Sequence, residues 1–170
     1  MIQYKLLAMA RKSTATANET PAPLVVRPVR RGDLEQVIAI DAAVTGLEKR
    51  SYWRGVFRRY GAASGGAQHR QFLVAATGGK VEGYVIGEVR DWEFGSPPCG
   101  WLFAINVDPA ARLAGVGTRL LQALSAAFRR IGVRKMRTML ARDNTLILSF
   151  FRSQGMTAGS LIPLEMDLED

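Results

Sequence analysis

The chain has 170 residues, 48% of them hydrophobic and 22% charged, and carries a formal net charge of +8. That length suits one domain with its own core and is short for two, and the composition argues against a disordered or fibrous chain. A lone cysteine, Cys99, and a lone histidine, His69, exclude an intramolecular disulfide, a cysteine zinc cage and a histidine metal cluster, and they point to a reducing, cytoplasmic setting.

Residues 1–23 are rich in Ser, Thr and Ala and end in two prolines; they read as a flexible leader, with Met9 as an alternative initiator and no clear signal-peptidase site. The folded domain is expected over 24–170. LVVRPV (24–29) suits a first strand. GDLEQVIAIDAAV (32–44) sets Leu34, Val37, Ile38 and either Ile40 or Asp41 on a helical cycle, with Asp33 as its N-cap. KRSYWRGVFRRY (49–60) places Tyr52, Trp53, Val56, Phe57 and Tyr60 on one face of a second helix, opposite arginines.

RQFLVAAT and KVEGYVIGEV read as two strands joined by a hairpin at TGGK, and DWEFGSPPC is a turn because its paired prolines cannot sit in a central ladder. CGWLFAINVDP is a fourth strand stopped by Pro109; its apolar run is far below the roughly 20 residues of a bilayer span. TRLLQALSAAFRRIG (118–132) is a helix with Leu120, Leu121, Leu124, Phe128 and Ile131 as its apolar stripe, closed by Gly132. VRKMRTMLA reads as a fifth strand, NTLILSFFRSQG as a helix ending at Gly155, and SLIPLEMDL as a last strand. The alternation defines a mixed α/β domain.

The stretch between the fourth strand and the long helix, ARLAGVGT (111–118), holds two glycines at a helix mouth. Glycine permits a tight turn and close ligand approach, while the first amides of a helix have no internal acceptor and attract anions. A phosphate-binding P-loop is excluded because no lysine follows Gly117, and a dinucleotide fingerprint because Leu120 stands where its third glycine belongs. What remains is R-x-x-G-x-G, preceded by VDP and followed by N-x6-F-x3-G.

This pattern resembles the acyl-CoA loop of the GNAT superfamily of N-acetyltransferases, over residues 24–168. The resemblance implies a mixed, mostly antiparallel sheet of six to seven strands flanked by about four helices and splayed between strands four and five. It implies acetyl-CoA as cosubstrate and no metal. It also implies that the main chain of Ile105, Asn106 and Val107 pairs with pantetheine, its strand bulged there so that N–H groups face the thioester. The amides of Arg112, Leu113, Ala114, Gly115, Val116, Gly117 and Thr118 would take the pyrophosphate, and Asn144 the pantetheine arm. The reaction would be direct transfer to a primary amine of a small molecule or protein in a ternary complex, and a homodimer is common among similar proteins.

The chain departs from the family where many members carry a tyrosine that protonates the CoA sulfur: that position is Phe151, which has no proton to give, leaving water or another hydroxyl such as Ser149. Phe151 is equally readable as core. No carboxylate lies between Trp101 and Val107, so Glu88 and Glu93 are the candidate general bases, acting directly or through a water, against an ordinary surface role. Trp53, Tyr60, Trp92 and Trp101 are readable as acceptor pocket or core, and Cys99 as loop packing.

Two other functions stay open beside catalysis. A weakly catalytic or non-catalytic acyl-CoA-binding or sensing domain follows from Phe151 and the missing strand-four carboxylate. A nucleic-acid-binding domain follows from the charge and the arginine-rich second helix, but no helix-turn-helix, RNP or zinc signature accompanies it, which makes it the weakest of the three.

Overall fold

The structure, a computed structural model, describes residues 22–61 and 68–168, so all but the last two residues of the expected leader lie outside the described residues. In chain order the elements are β1 (Val25–Pro28), α1 (Leu34–Thr45), α2 (Arg50–Tyr60), β2 (Arg70–Thr77), β3 (Lys80–Arg90), β4 (Cys99–Val107), α3 (Val116–Arg130), β5 (Met136–Arg137) and α4 (Thr145–Ser153). The strands form one sheet in the order β1-β2-β3-β4-β5, antiparallel through β4 and parallel from β4 to β5. The mixed, mostly antiparallel α/β class and the four helices agree with the sequence. Among the described residues there are five strands, however, not six to seven.

Two segments account for the difference. VRKMRTMLA pairs with β4 only at Met136 and Arg137. SLIPLEMDL joins no ladder, and its Ile162, Leu164, Met166 and Leu168 stand exposed. Alternation alone does not make a strand: the backbone needs a partner edge, and Pro163 removes one of the donors such an edge would use.

Each face of the sheet carries a pair of helices and its own core. Phe72, Val74, Tyr84 and Ile86 pack against Val37, Ile38 and Trp53 of α1 and α2. Leu73, Ala75, Val85 and Leu102 pack against Leu120, Leu124 and Phe128 of α3 and Phe151 of α4. Strands β2 and β3 are therefore covered on both sides, which explains why RQFLVAAT reads as an unbroken apolar run rather than an alternating one. The hairpin between them turns at Gly78 and Gly79, whose φ values of 57° and 88° are those a two-residue turn of this hand requires.

Helix α3 lies so close over the sheet that a Cβ at Gly100 would enter the Phe128 ring. That closeness sets the height of the helix whose N-terminus faces the site described below.

Asp33 does something other than the expected capping of α1. Its carboxylate accepts two hydrogen bonds from the Arg27 guanidinium, at 2.7 and 2.9 Å, and one from the Arg30 amide at 2.7 Å, and makes no side-chain cap to the helix. The partly buried pair ties β1 to the entry of α1. Hydrogen bonding to Arg27 holds the carboxyl below the usual carboxylate range, against the opposing effect of burial. On α2, Trp53, Val56 and Tyr60 form the buried stripe, while Tyr52 falls off it and is exposed.

Gly100→Ala is expected to lower stability by about 1–3 kcal/mol, the cost of overpacking a filled core, read as a shift of the urea midpoint. The lowered Asp33 pKa gives a second expectation. Its contribution is fully present above the unfolded value of about 3.9 and is lost as pH falls below that toward the folded value. Asp33→Asn should therefore be destabilising at neutral pH by about 2 kcal/mol, and the gap between variant and parent should close in acid titrations below about pH 4.

Candidate functional site

Strand β4 pairs with β3 along nearly its whole length, and opposite Ile86 and Gly87 it carries one extra residue, Phe103. The bulge expected near Ile105–Val107 thus sits earlier in the strand. Its effect is visible in the packing: Leu102 faces α3, Ala104 two residues on faces α1, and Ile105 and Val107 return to the α3 side. An uninterrupted strand would have put Leu102 and Ala104 on one face. On its other edge β4 pairs with β5 only at Gly100 and Trp101. From Leu102 to Val107 that edge opens onto a groove of about 910 Å³, in the size range of small-molecule and cofactor sites. This is the splay expected between strands four and five.

The groove has two ends. At one, β4 runs through Asp108, whose Oδ1 accepts from the Ala110 amide at 2.9 Å, into the tight turn Pro109–Ala111 and then α3. Gly115 adopts φ 75°, the left-handed region, to turn the chain into the helix. The amides of Val116, Gly117 and Thr118 precede the first helical bond, which runs from Arg119 N–H to the Gly115 carbonyl at 3.1 Å, so they have no acceptor within the helix. A Cβ at Gly117 would come within 3.3 Å of the Phe150 ring and 3.7 Å of Val107, two residues that line the groove. Arg112, Leu113, Gly115, Val116, Gly117 and Thr118 all line this end. Leu113 stands wholly exposed at φ 70°, a strained setting for a side chain with a Cβ.

Helix α4 closes the same side. Asn144 caps it, its Oδ1 accepting from the Ile147 amide at 3.2 Å, and also lines the groove. Phe151 lines it too but is only 4% exposed and belongs to the α3-side core, as the core reading of that residue expects. Ser149 and Ser153 are exposed hydroxyls on this wall.

The opposite end brings together Asn106, expected along the pantetheine, Trp53, readable as acceptor pocket or core, and Asp41, Lys49 and Tyr84, to which the sequence assigns no site role. Asp41, 4% exposed, accepts the Trp53 Nε1–H at 2.9 Å and pairs with the Lys49 ammonium at 2.9 Å. Beside them the Tyr84 hydroxyl accepts from the Asn106 amide at 2.7 Å. Burial pushes the Tyr84 phenol well above its ordinary range, the Asn106 hydrogen bond opposes this, and the nearby Asp41 charge adds to it. Asp41, Lys49, Trp53, Tyr84 and Asn106 line the groove together. The signal for Asp41 was present in the sequence: a carboxylate on the apolar cycle of a helix needs a partner, and the structure supplies two.

Glu88 and Glu93 lie elsewhere. Both line a separate, more polar pocket of about 530 Å³ with His69, Arg70, Arg90 and Asp91. Glu88 accepts from the Tyr60 hydroxyl at 2.9 Å and from Arg90 Nε at 3.0 Å, so both of its oxygens are engaged. It does not line the groove; its partner Tyr60 packs its ring on Phe103, which does, at 5.1 Å. The Glu93 carboxylate is 3.6 Å from Arg90. Trp101 lies between the Arg90 and Arg137 guanidinium groups, 5.4 and 6.0 Å from its ring, and Trp92 is exposed at the tip of the β3–β4 turn. Cys99 is buried, and burial raises its thiol pKa, as suits packing rather than nucleophilic attack.

A model of the acetyltransferase (GNAT) family matches residues 39–156, well over half of the chain, and the chain belongs to that family. No curated protein matches it in sequence. Among solved structures it is similar to the aminoglycoside N-acetyltransferase AAC(6')-Iy in complex with CoA, at 18% identity over 90% of this chain and 99% of that one, with a TM-score of 0.75. It is similar to a transcriptional regulator from Bacillus halodurans C-125, at 18% identity over 86% and 100% of the two chains, TM-score 0.73. It also resembles the aminoglycoside 6'-N-acetyltransferase AAC(6')-Ig from Acinetobacter haemolyticus, at 17% identity over 86% and 99%, TM-score 0.71. At these identities the likeness is one of fold. No helix among the described residues is long and apolar enough to cross a membrane.

Asp41→Ala would strand the buried Trp53 N–H without an acceptor and is expected to cost about 1–3 kcal/mol. Thermal unfolding measured alongside Glu88→Ala, whose partners are nearer solvent, should give the larger loss for Asp41.

Proposed function

We propose that the protein transfers the acetyl group of acetyl-CoA to a primary amine, by direct attack within a ternary complex. The observation that carries this reading is the groove itself: one continuous cleft runs along the unpaired edge of β4, with acceptor-free helix amides at one end and a buried carboxylate at the other. The pyrophosphate would lie against the amides of Gly115–Thr118, with Arg112 beside it as a countercharge. The pantetheine arm would run along Ile105–Val107 toward Phe103, with Asn144 across from it. This orientation places the thioester near the bulge, where free N–H groups of β4 can stabilise the oxygen as negative charge develops.

The amine would then enter from the α1–α2 end. Asp41 is the carboxylate of this cleft and is placed to hold an ammonium group and take its proton, a role in which it replaces Glu88 and Glu93 as our candidate. Small-molecule amines suit this end better than a peptide tail, since its aromatic walls, Tyr52, Trp53, Tyr84 and Phe103, surround one carboxylate rather than an extended acidic track. The relatives point the same way: AAC(6')-Iy has been captured with a bisubstrate analogue, CoA-S-monomethyl-acetylneamine, at 19% identity to this chain. Much of the rate would come from alignment, with thiolate leaving without a tyrosine acid.

A second reading rests on Phe151, a buried phenyl ring on the groove wall. It describes a domain that binds acyl-CoA and transfers its acyl group weakly or not at all.

Calorimetric titration with acetyl-CoA is expected to show micromolar binding that Gly117→Trp, a variant that fills the space against Phe150, abolishes while remaining folded; no binding by the folded parent would end the acyl-CoA reading. A thiol-release assay with a panel of small amines separates the two functions. Phe151→Tyr restores a hydroxyl to the wall, so amine-dependent release should rise by roughly tenfold or more if proton supply to sulfur limits the enzyme. Acetyl-CoA binding without amine-dependent release in either protein would favour the sensing domain.

A further inference from the structure

The amine-facing end of the groove already contains an amine. Lys49, at the entry to α2, sends its ammonium group to 2.9 Å from the Asp41 carboxylate and 5.8 Å from the centre of the Tyr52 ring. A buried carboxylate and an aromatic face are the two elements that recognise an alkylammonium ion. Here they hold one supplied by the chain itself. Lys49, Asp41 and Tyr52 line the same cleft as Phe103, Ile105 and Asn106 of the β4 edge, so no wall separates this ammonium from the strand along which the acyl arm would lie.

We infer that Lys49 occupies the acceptor position and is itself an acetyl acceptor: the protein acetylates its own Lys49 when no external amine displaces it. The inference rests on the acetyl-transfer reading of this groove. The step balances without any further reactant. Lys49 loses one proton to solvent by way of the Asp41 carboxylate, and its neutral Nζ attacks the thioester carbonyl carbon. A C–N bond forms, the C–S bond breaks, and CoA leaves as thiolate, taking up the second proton shed by the nitrogen. The products are Nε-acetyl-lysine and free CoA.

The geometry gives this modification a consequence. An acetylated Lys49 carries no charge and cannot pair with Asp41, which would keep the Trp53 N–H but lose its counter-cation. An ionised carboxylate at 4% exposure is costly without a counter-cation. Self-acetylation would therefore convert the amine end from a neutralised pocket into one that draws an external ammonium ion.

The experiment is mass spectrometry of the purified full chain incubated with acetyl-CoA, with peptide mapping of the modified lysines. Lys80 is the internal control, because its side chain is 65% exposed against 37% for Lys49, so uncatalysed acetylation favours it. The expected result is one acetyl group, on Lys49. It should appear at a rate independent of protein concentration, be slowed by excess unacylated CoA and be lost in Gly117→Trp. Acetylation spread over Lys80 and Lys135 as readily as Lys49, or unaffected by excess CoA, would overturn the inference. So would an unmodified Lys49 in protein that calorimetry shows to bind acetyl-CoA, and that outcome would leave the acetyl-transfer reading standing. Absence of acetyl-CoA binding would sink both together.

Discussion

Strand β4 is hydrogen-bonded along one edge for nearly its full length and along the other at two residues only. The function proposed above depends on that asymmetry. A central strand that loses a neighbour halfway exposes a row of backbone donors and acceptors, and a folded protein leaves such a row open only where something else uses it. The opening is held by its surroundings, because the antiparallel half of the sheet is covered on both faces and cannot relax sideways to close it.

The same strand joins the two halves of the cleft. The extra residue at Phe103 reverses which side chains face which helices, so β4 contributes Ala104 to the α1–α2 core and Ile105 and Val107 to the α3–α4 core. Gly100, just before it, lets Phe128 sink onto the sheet and fixes how far α3 stands above the strand. The N-terminus of α3 and the Asp41 carboxylate, which belong to opposite faces, are brought to one strand edge by these two local features. Neither would serve if α3 were displaced by the thickness of a methyl group, since the alignment of reacting groups is sensitive to shifts of about 1 Å.

How much of this the sequence made legible follows from what kind of signal each feature leaves. Long amphipathic helices and the glycine hairpin were readable because periodicity and positive φ are local properties. R-x-x-G-x-G was readable for the same reason, and the left-handed Gly115 and the close-packed Gly117 bear out the demand for glycine at those two positions. No residue type marks the bulge, which shows only in the register against β3. The alternation of SLIPLEMDL describes side chains and says nothing of whether an edge exists to receive the backbone. Asp33 stands where a cap fits, but a guanidinium six residues upstream in sequence offers its carboxylate two charge-assisted bonds. Glu88 and Glu93 are near β4 in sequence, and the sheet turns that proximity into a separate pocket.

Asp41 shows why the charge balance of the whole chain is a poor guide to its site. With a net charge of +8 the molecule as a whole repels cations. The field inside a partly enclosed cleft is set by what lines it, and among the described residues this cleft carries Asp41 with its partner Lys49 at one end and Arg112 at the other. On the acetyl-transfer reading proposed above, the Arg112 end would meet the polyanionic donor, and an acceptor's ammonium group would take the place of Lys49 beside Asp41. On that reading the basic surface would draw the donor in, and a single buried carboxylate, paired with the chain's own lysine until a competing cation displaced it, would be enough to reverse the sign where the acceptor sits.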